Sequence, residues 1–251
     1  MTGVNCSPFP ATRGDGQVIA LYLRRGMAAG LLAGLLAGLF AFVTGEPLLD
    51  QAIGLEQSAH AHAEGEEVFS RSTQKVGLFF ATGFSGAFVG GLFGLAFAYF
   101  RGRLASESDW SRSLSLAAAI FAGAALIPFL KYPANPPTVG DPATIGARTT
   151  AYFAMVGLSL LAVLASWYAS GLLRERGVST PVRHVTVGLG LAAVLTALFL
   201  MLPATADPGD FPAGLLWSFR LSSLGTQLVL WTGLGVLFGA LCERAGRRGA
   251  L

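Results

Sequence analysis

The chain has 251 residues, 53% of them hydrophobic and only 12% charged, whereas soluble domains carry about 25% charged residues. With a mean hydropathy of +0.60, an ordinary water-facing surface is excluded and much of the surface must face lipid. The net charge of +3 is small, so its distribution along the chain matters more than its size.

Residues 1–23 hold Pro8, Pro10, Gly14 and Gly16 without a sustained period. They read as an irregular leader with a short helix from Val18. Six apolar runs then approach the ~20 residues that cross a bilayer as a helix. They fall at 25–44, 76–100, 113–130, 150–172, 184–203 and 222–242. The expected architecture is an all-α integral membrane bundle of six transmembrane helices at 24–245, with a short tail at 246–251. The first run follows a 24-residue polar leader and has no small-residue cleavage site, so it is not a removable signal peptide.

Span 1 carries Gly26, Gly30, Gly34 and Gly38 at four-residue spacing, beside a second stripe of Ala29, Ala33, Ala37 and Ala41. Span 2 offers two small stripes, Gly83-Ala87-Gly91 and Gly86-Gly90-Gly94, and span 6 has Gly235 and Gly239. Small residues let helix backbones approach closely in a membrane. Tight packing and sliding surfaces are both compatible with these stripes.

Orientation follows from the basic residues. With the N-terminus placed in the cytoplasm, the inner segments carry 12 of the 17 Lys and Arg residues and the outer ones 5. Each inner segment holds three arginines, which is a positive-inside pattern with both termini cytoplasmic. Topology thus accounts for the arginines, and nucleic acid is not an expected partner. The acids run the other way, 9 of 14 outside, so the outer face attracts cations. Cys6 and Cys242 both fall inside and read as unpaired thiols.

Between spans 1 and 2 the loop holds Glu46, Asp50, Glu56, His60, His62, Glu64, Glu66 and Glu67. Imidazole with carboxylate is a ligand set for a divalent transition metal. If the segment is helical, Glu46 and Asp50 share one face, as do Glu56, His60 and Glu64. If it is extended, His60, His62, Glu64 and Glu66 project together. Metal ligands from this reading are His60, His62, Glu56, Glu64 and Glu66. A solvated acidic loop with two incidental histidines is the competing reading. Neutral imidazole binds metal, so loading should weaken as pH falls through about 6.5. His184 stands alone near the inner end of span 5 and reads as interfacial.

The second outer loop, residues 131–142, contains Pro133, Pro136, Pro137 and Pro142. Prolines fix φ and remove donors, so this stretch is rigid and non-helical. It is suited to capping a pore or to serving as a stiff connector. Lys131 is free in sequence terms to pair with Asp141 or with the acidic first loop. After the third outer loop, residues 213–221 read as an interfacial helix turning into span 6, with Arg220 at its outer end. Gln227 lies one to two turns deeper, where polar side chains are costly and often functional; a helix–helix hydrogen bond explains it equally well. Glu46, Asp50, Lys131, Asn135, Asp141, Arg220 and Gln227 are the expected entrance or path.

The chain lacks a phosphate-loop signature and the common hydrolase and metalloprotease motifs, so it does not read as an enzyme. No span centre holds Asp, Glu, Lys or Arg. A cation path would then rely on hydroxyls, amides, carbonyls and helix ends.

Gly45-Glu46-Pro47-Leu48-Leu49-Asp50-Gln51-Ala52-Ile53, the His60-Ala61-His62 segment, Pro128 to Pro137 with Gly140-Asp141-Pro142, and Phe211 to Gln227 together resemble the CbtA family of bacterial cobalt transporter subunits, over about 20–245. The family is described with five spans; six are counted here. The resemblance implies uptake of Co²⁺ as the transported ion, with no permanently bound cofactor, across the bacterial cytoplasmic membrane. It further implies a small single-span CbtB-like partner and a link to cobalamin biosynthesis. Nickel or zinc transport, and a non-transporting membrane scaffold or assembly partner in metal homeostasis, are the alternatives.

Overall fold

The computed structural model describes residues 14–59, 70–104, 108–137, 139–204 and 208–249. These form helices α1 (Gly14–Thr44), α2 (Glu46–Ala59), α3 (Arg71–Phe100), α4 (Asp109–Phe121), α5 (Ile127–Lys131), α6 (Ile145–Glu175), α7 (Thr180–Met201) and α8 (Ala213–Gly249), with no strand among the described residues. A single π-turn at Ala122–Leu126 joins α4 to α5, so Asp109–Lys131 is one continuous rod. Six helices are long and apolar enough to cross a membrane; only α2 is too short and too polar. The chain is an all-α bundle, as its apolar runs require.

The helices outrun the apolar segments that specify them. α1 starts at Gly14, four residues before the short helix expected from Val18, and runs unbroken into span 1; residues 1–13 lie outside the described residues. Residues 213–221 do not form a separate interfacial helix but run straight into α8. A 31-residue helix is about 46 Å long, against a hydrocarbon core of about 30 Å. The polar ends therefore project beyond lipid, which a hydropathy boundary cannot register.

The tightest seam is between α1 and α3. They run antiparallel, with Gly26 against Gly90, Gly30 against Gly86 and Gly34 against Thr82. A Cβ on Gly30 would stand 2.1 Å from the Gly86 carbonyl oxygen, so only hydrogen at these positions permits the contact. Of the two stripes on span 2, Gly86-Gly90-Gly94 meets the α1 backbone directly, while Gly83 and Gly91, also buried, lie against the α1 side chains Leu31, Leu35, Leu23 and Met27. α8 packs on α1 and also on α4. There Ser113 Oγ donates to the Gly235 carbonyl at 2.7 Å, and Gly239 makes room for Trp110. Tyr22, Phe93, Phe97 and Phe238 close the core as edge-on and tilted aromatic pairs. Since Tyr22 and Phe238 touch, the start of α1 and the end of α8 lie at the same end of the bundle. Thr44 Oγ1 and Ser222 Oγ meet at 2.7 Å at the opposite end.

α6 joins this core through the π-turn. Ser159 Oγ donates to the Gly123 carbonyl at 2.5 Å, and Leu160 sits where a Cβ on Gly123 would be. α7 folds back along α6 through a turn in which Gly177 has φ +75°. None of the α7 residues is buried. Phe80, Phe84 and Phe88 on α3 are each more than 60% exposed, and a row of aromatic rings facing outward fits lipid rather than water.

Candidate functional site

Two groups of polar residues gather at the end of the bundle opposite the start of α1 and the end of α8. The first is built by α2 against the start of α3. α2 is helical, so Glu46 and Asp50, four apart, share one face. Both reach Arg71. Arg71 Nη2 donates to Glu46 Oε2 at 2.7 Å and to Asp50 Oδ1 at 2.6 Å, while its Nε donates to Asp50 Oδ1 at 3.1 Å. Lys75 Nζ donates to Asp50 Oδ2 at 2.9 Å and lies 4.0 Å from Glu46 Oε2. The Lys75 and Arg71 hydrogen bonds hold the Asp50 carboxyl below the usual aspartate range. Two carboxylates thus face two cations. The cluster is neutral, and its acceptors are committed to Arg71 and Lys75 rather than open to a metal.

Glu56 lies further along α2 on an exposed stretch. His60, His62, Glu64 and Glu66 lie outside the described residues. Among the described residues, no group of three His, Cys, Asp or Glu side chains is placed to hold a metal ion.

The second group lines a cavity of about 640 Å³. The N-terminal turns of α6 and the outer half of α8 flank it, α5 lies behind, and the proline-rich segment borders it. Tyr132, Asn135, Thr144, Arg148, Thr149, Tyr152, Ser223 and Gln227 are its polar lining. On α8, Arg220, Ser223, Leu224 and Gln227 follow helical spacing and share one face. The proline-rich segment is irregular, with prolines at 133, 136 and 137. It is tied at both ends: Tyr132 Oη donates to the Pro203 carbonyl at 2.8 Å, and Arg220 Nη2 donates to Asn135 Oδ1 at 2.8 Å. Burial pushes the Tyr132 phenol up, away from ionisation.

Of the expected entrance residues, the structure brings Asn135 and Gln227 to the cavity and sets Arg220 beside it through Asn135. Asp141 sits on its flank. The Asp141 side chain caps the Pro142–Thr144 turn by accepting from Ala143 N–H at 2.8 Å, and its backbone carbonyl accepts from Arg148. Lys131 is elsewhere. It forms no ion pair with Asp141 or with the described acids of the first loop but donates to the Phe199 carbonyl at 2.8 Å, at the end of α7. A cation there satisfies a helix C-terminal carbonyl.

Arg148, which the sequence reading left without a role, is the one charged group lining the cavity among the described residues. The available signal was a basic residue in the first turn of a helix, where the helix dipole disfavours it. A guanidinium about 6 Å from a dication opposes it by about 5 kcal/mol at an effective dielectric near 20. As it stands, the cavity repels a bare divalent ion.

Comparison with known proteins adds one relationship. No curated protein and no solved structure matches the chain. A family profile described as "Probable cobalt transporter subunit (CbtA)" matches residues 19–243. That span takes in nearly all of the helical bundle, both polar groups and the proline-rich segment. The chain is a multi-pass membrane protein and belongs to the CbtA family of cobalt transporter subunits.

Proposed function

We propose that this protein is the membrane subunit of a Co²⁺ importer in a bacterial cytoplasmic membrane, feeding cobalamin biosynthesis. The observation that carries the reading is the family match over residues 19–243 on a bundle with six candidate spans. The positive-inside distribution supports an orientation with both termini in the cytoplasm. The segment after α2 then faces outward, where His60 and His62 with Glu56, Glu64 and Glu66 capture the metal from dilute solution. Neutral imidazole and carboxylate suit Co²⁺, although Ni²⁺ binds such sites more tightly, so selectivity must come from more than ligand identity.

Glu46 and Asp50 act next to the capture segment. Their pairing with Arg71 and Lys75 makes them a gate that opens only when those cations let go. Asn135, Asp141, Arg220 and Gln227 shape the passage at the cavity between α6 and α8, and Lys131 fixes α7 to the end of α5. The chain performs no catalysis of its own and holds no permanent cofactor. A small single-span CbtB-like protein completes the transporter.

The test is uptake of labelled Co²⁺ in cells lacking other cobalt importers. The chain is expressed alone and with the small partner, and Ni²⁺ and Zn²⁺ serve as competitors. Uptake best competed by unlabelled Co²⁺ is expected, with strong loss in the His60→Ala/His62→Ala double variant at equal membrane abundance. Unchanged uptake in that variant would remove the capture segment from the mechanism. No uptake with or without the partner, from correctly inserted protein, would favour a non-transporting scaffold. The positive cavity favours that second reading over a simple cation channel.

A further inference from the structure

We propose that the cavity between α6 and α8 is an oxyanion site, taking a carboxylate or phosphate group against Arg148 and Arg220. The argument begins with charge. Arg148 and Arg220 form no ion pair with any described carboxylate. No Asp, Glu or His is among the described residues that line the cavity. The N-terminal end of the 31-residue helix α6 adds the positive end of its dipole at the same place. The nearest acid in sequence, Asp141, spends its carboxylate on the Ala143 N–H and is exposed.

The donors point the same way. A guanidinium has five N–H groups. Arg148 uses Nη1 on the Val139 carbonyl at 3.2 Å and Nη2 on the Asp141 carbonyl at 3.3 Å. Arg220 uses Nη2 on Asn135. The Nε of each is enclosed by protein without a partner, as are those of Arg112 and Arg183, so the N–H groups left for a ligand are those on the Nη atoms that these bonds do not use. A planar fork with free N–H groups matches carboxylate and phosphate oxygens. Gln227 and Ser223 reach the same space with side chains that make no hydrogen bond within the described residues and can complete the shell. An anion carrying two or more negative charges offsets the two arginines, so a divalent metal can pass there as a complex with such an anion where a bare ion is repelled.

The anion has two possible sources. It is a soluble oxyanion such as a carboxylate that chelates metal, or the headgroup phosphate of an anionic lipid reaching in between α6 and α8. The inference goes beyond the transport reading, because binding is read on purified protein without metal; either can fail while the other stands.

The test uses the full chain in phosphatidylcholine nanodiscs, titrated calorimetrically with citrate and with inorganic phosphate. A second set of discs contains phosphatidylglycerol, and native mass spectrometry counts retained lipid. Saturable binding of a soluble probe is expected, weakened about tenfold or more in Arg148→Gln and in Arg220→Gln, and weakened less in Arg148→Lys, which keeps the charge but loses the fork. Selective retention of phosphatidylglycerol, lost in the same two variants, also supports the site and assigns it to lipid. Two results would overturn it. One is binding of neither probe nor lipid by wild-type protein with a normal thermal transition. The other is binding that Arg148→Gln and Arg220→Gln leave unchanged. The wild-type titration decides even if a variant fails to fold.

Discussion

Gly90→Ala should destabilise the bundle, while the chemically identical Gly157→Ala should not. At Gly90 the new methyl carbon would lie 2.1 Å from the Gly26 carbonyl oxygen and 2.7 Å from the Gly30 Cα. Ordinary van der Waals contact begins near 3.4 Å. The obstacles are backbone atoms, so no rotamer change relieves them, and α1 and α3 must separate by roughly 1 Å, losing contacts along the whole seam. Overpacking costs about 1–3 kcal/mol, and a backbone obstacle belongs at the upper end. Alanine in place of glycine returns up to about 1 kcal/mol of helix propensity, which leaves a net loss of about 2 kcal/mol. At Gly157, in the middle of α6, nothing lies within 4 Å of the added carbon. The substitution there should be neutral or stabilising by up to about 1 kcal/mol. The assay is reversible unfolding of both variants in mixed micelles, followed by circular dichroism and tryptophan fluorescence. A gap of about 3 kcal/mol between them is expected from these terms. Equal stability would refute the glycine seam as the contact that holds α1 to α3.

The same unfolding assay reads the ion cluster at α2. Arg71→Ala leaves Glu46, whose side chain is only 12% exposed, with a distant Lys75, and should cost about 1–3 kcal/mol. Asp50→Asn removes a carboxylate that is 45% exposed and should cost less than about 1 kcal/mol; the reverse ranking would contradict the geometry. The pH dependence has a definite sign. The Asp50 pKa is depressed in the folded protein, so its stabilisation is complete above the unfolded value and is lost as pH falls through the folded one. Protection factors of the α2 amides, with the intrinsic pH dependence of exchange divided out, should therefore be unchanged down to about pH 5 and fall only in stronger acid. Histidine-dependent metal loading should already fade near pH 6.5, so the two events separate on one titration. Early loosening of α2 at about pH 5 would show that Asp50 is not held as described.

The residue pattern determined the class of structure and the side-chain chemistry available to it. Apolar runs of membrane-crossing length fix the number of helices, because a backbone in lipid must satisfy its own hydrogen bonds and a helix does so locally. The spacing of Glu46 and Asp50 placed them on one face for the same local reason. The proline-rich segment could not be helical, since each proline removes a donor and fixes φ. What the pattern left open was every choice between equivalent surfaces. Span 2 carries two small stripes, and only packing decided that Gly86-Gly90-Gly94 meets the α1 backbone while Gly83 and Gly91 lie against α1 side chains. Lys131 had Asp141 and the acidic first loop as candidate partners but went to the Phe199 carbonyl, since α7 folds back against the end of α5. Arg148 and Arg220 stand 72 positions apart by their numbers, and no local period relates them. They become neighbours of one cavity because α6 and α8 flank it with the proline-rich segment alongside. A helix is written in contacts three and four residues apart, whereas a cavity is written in contacts between helices, and only the tertiary structure decides those.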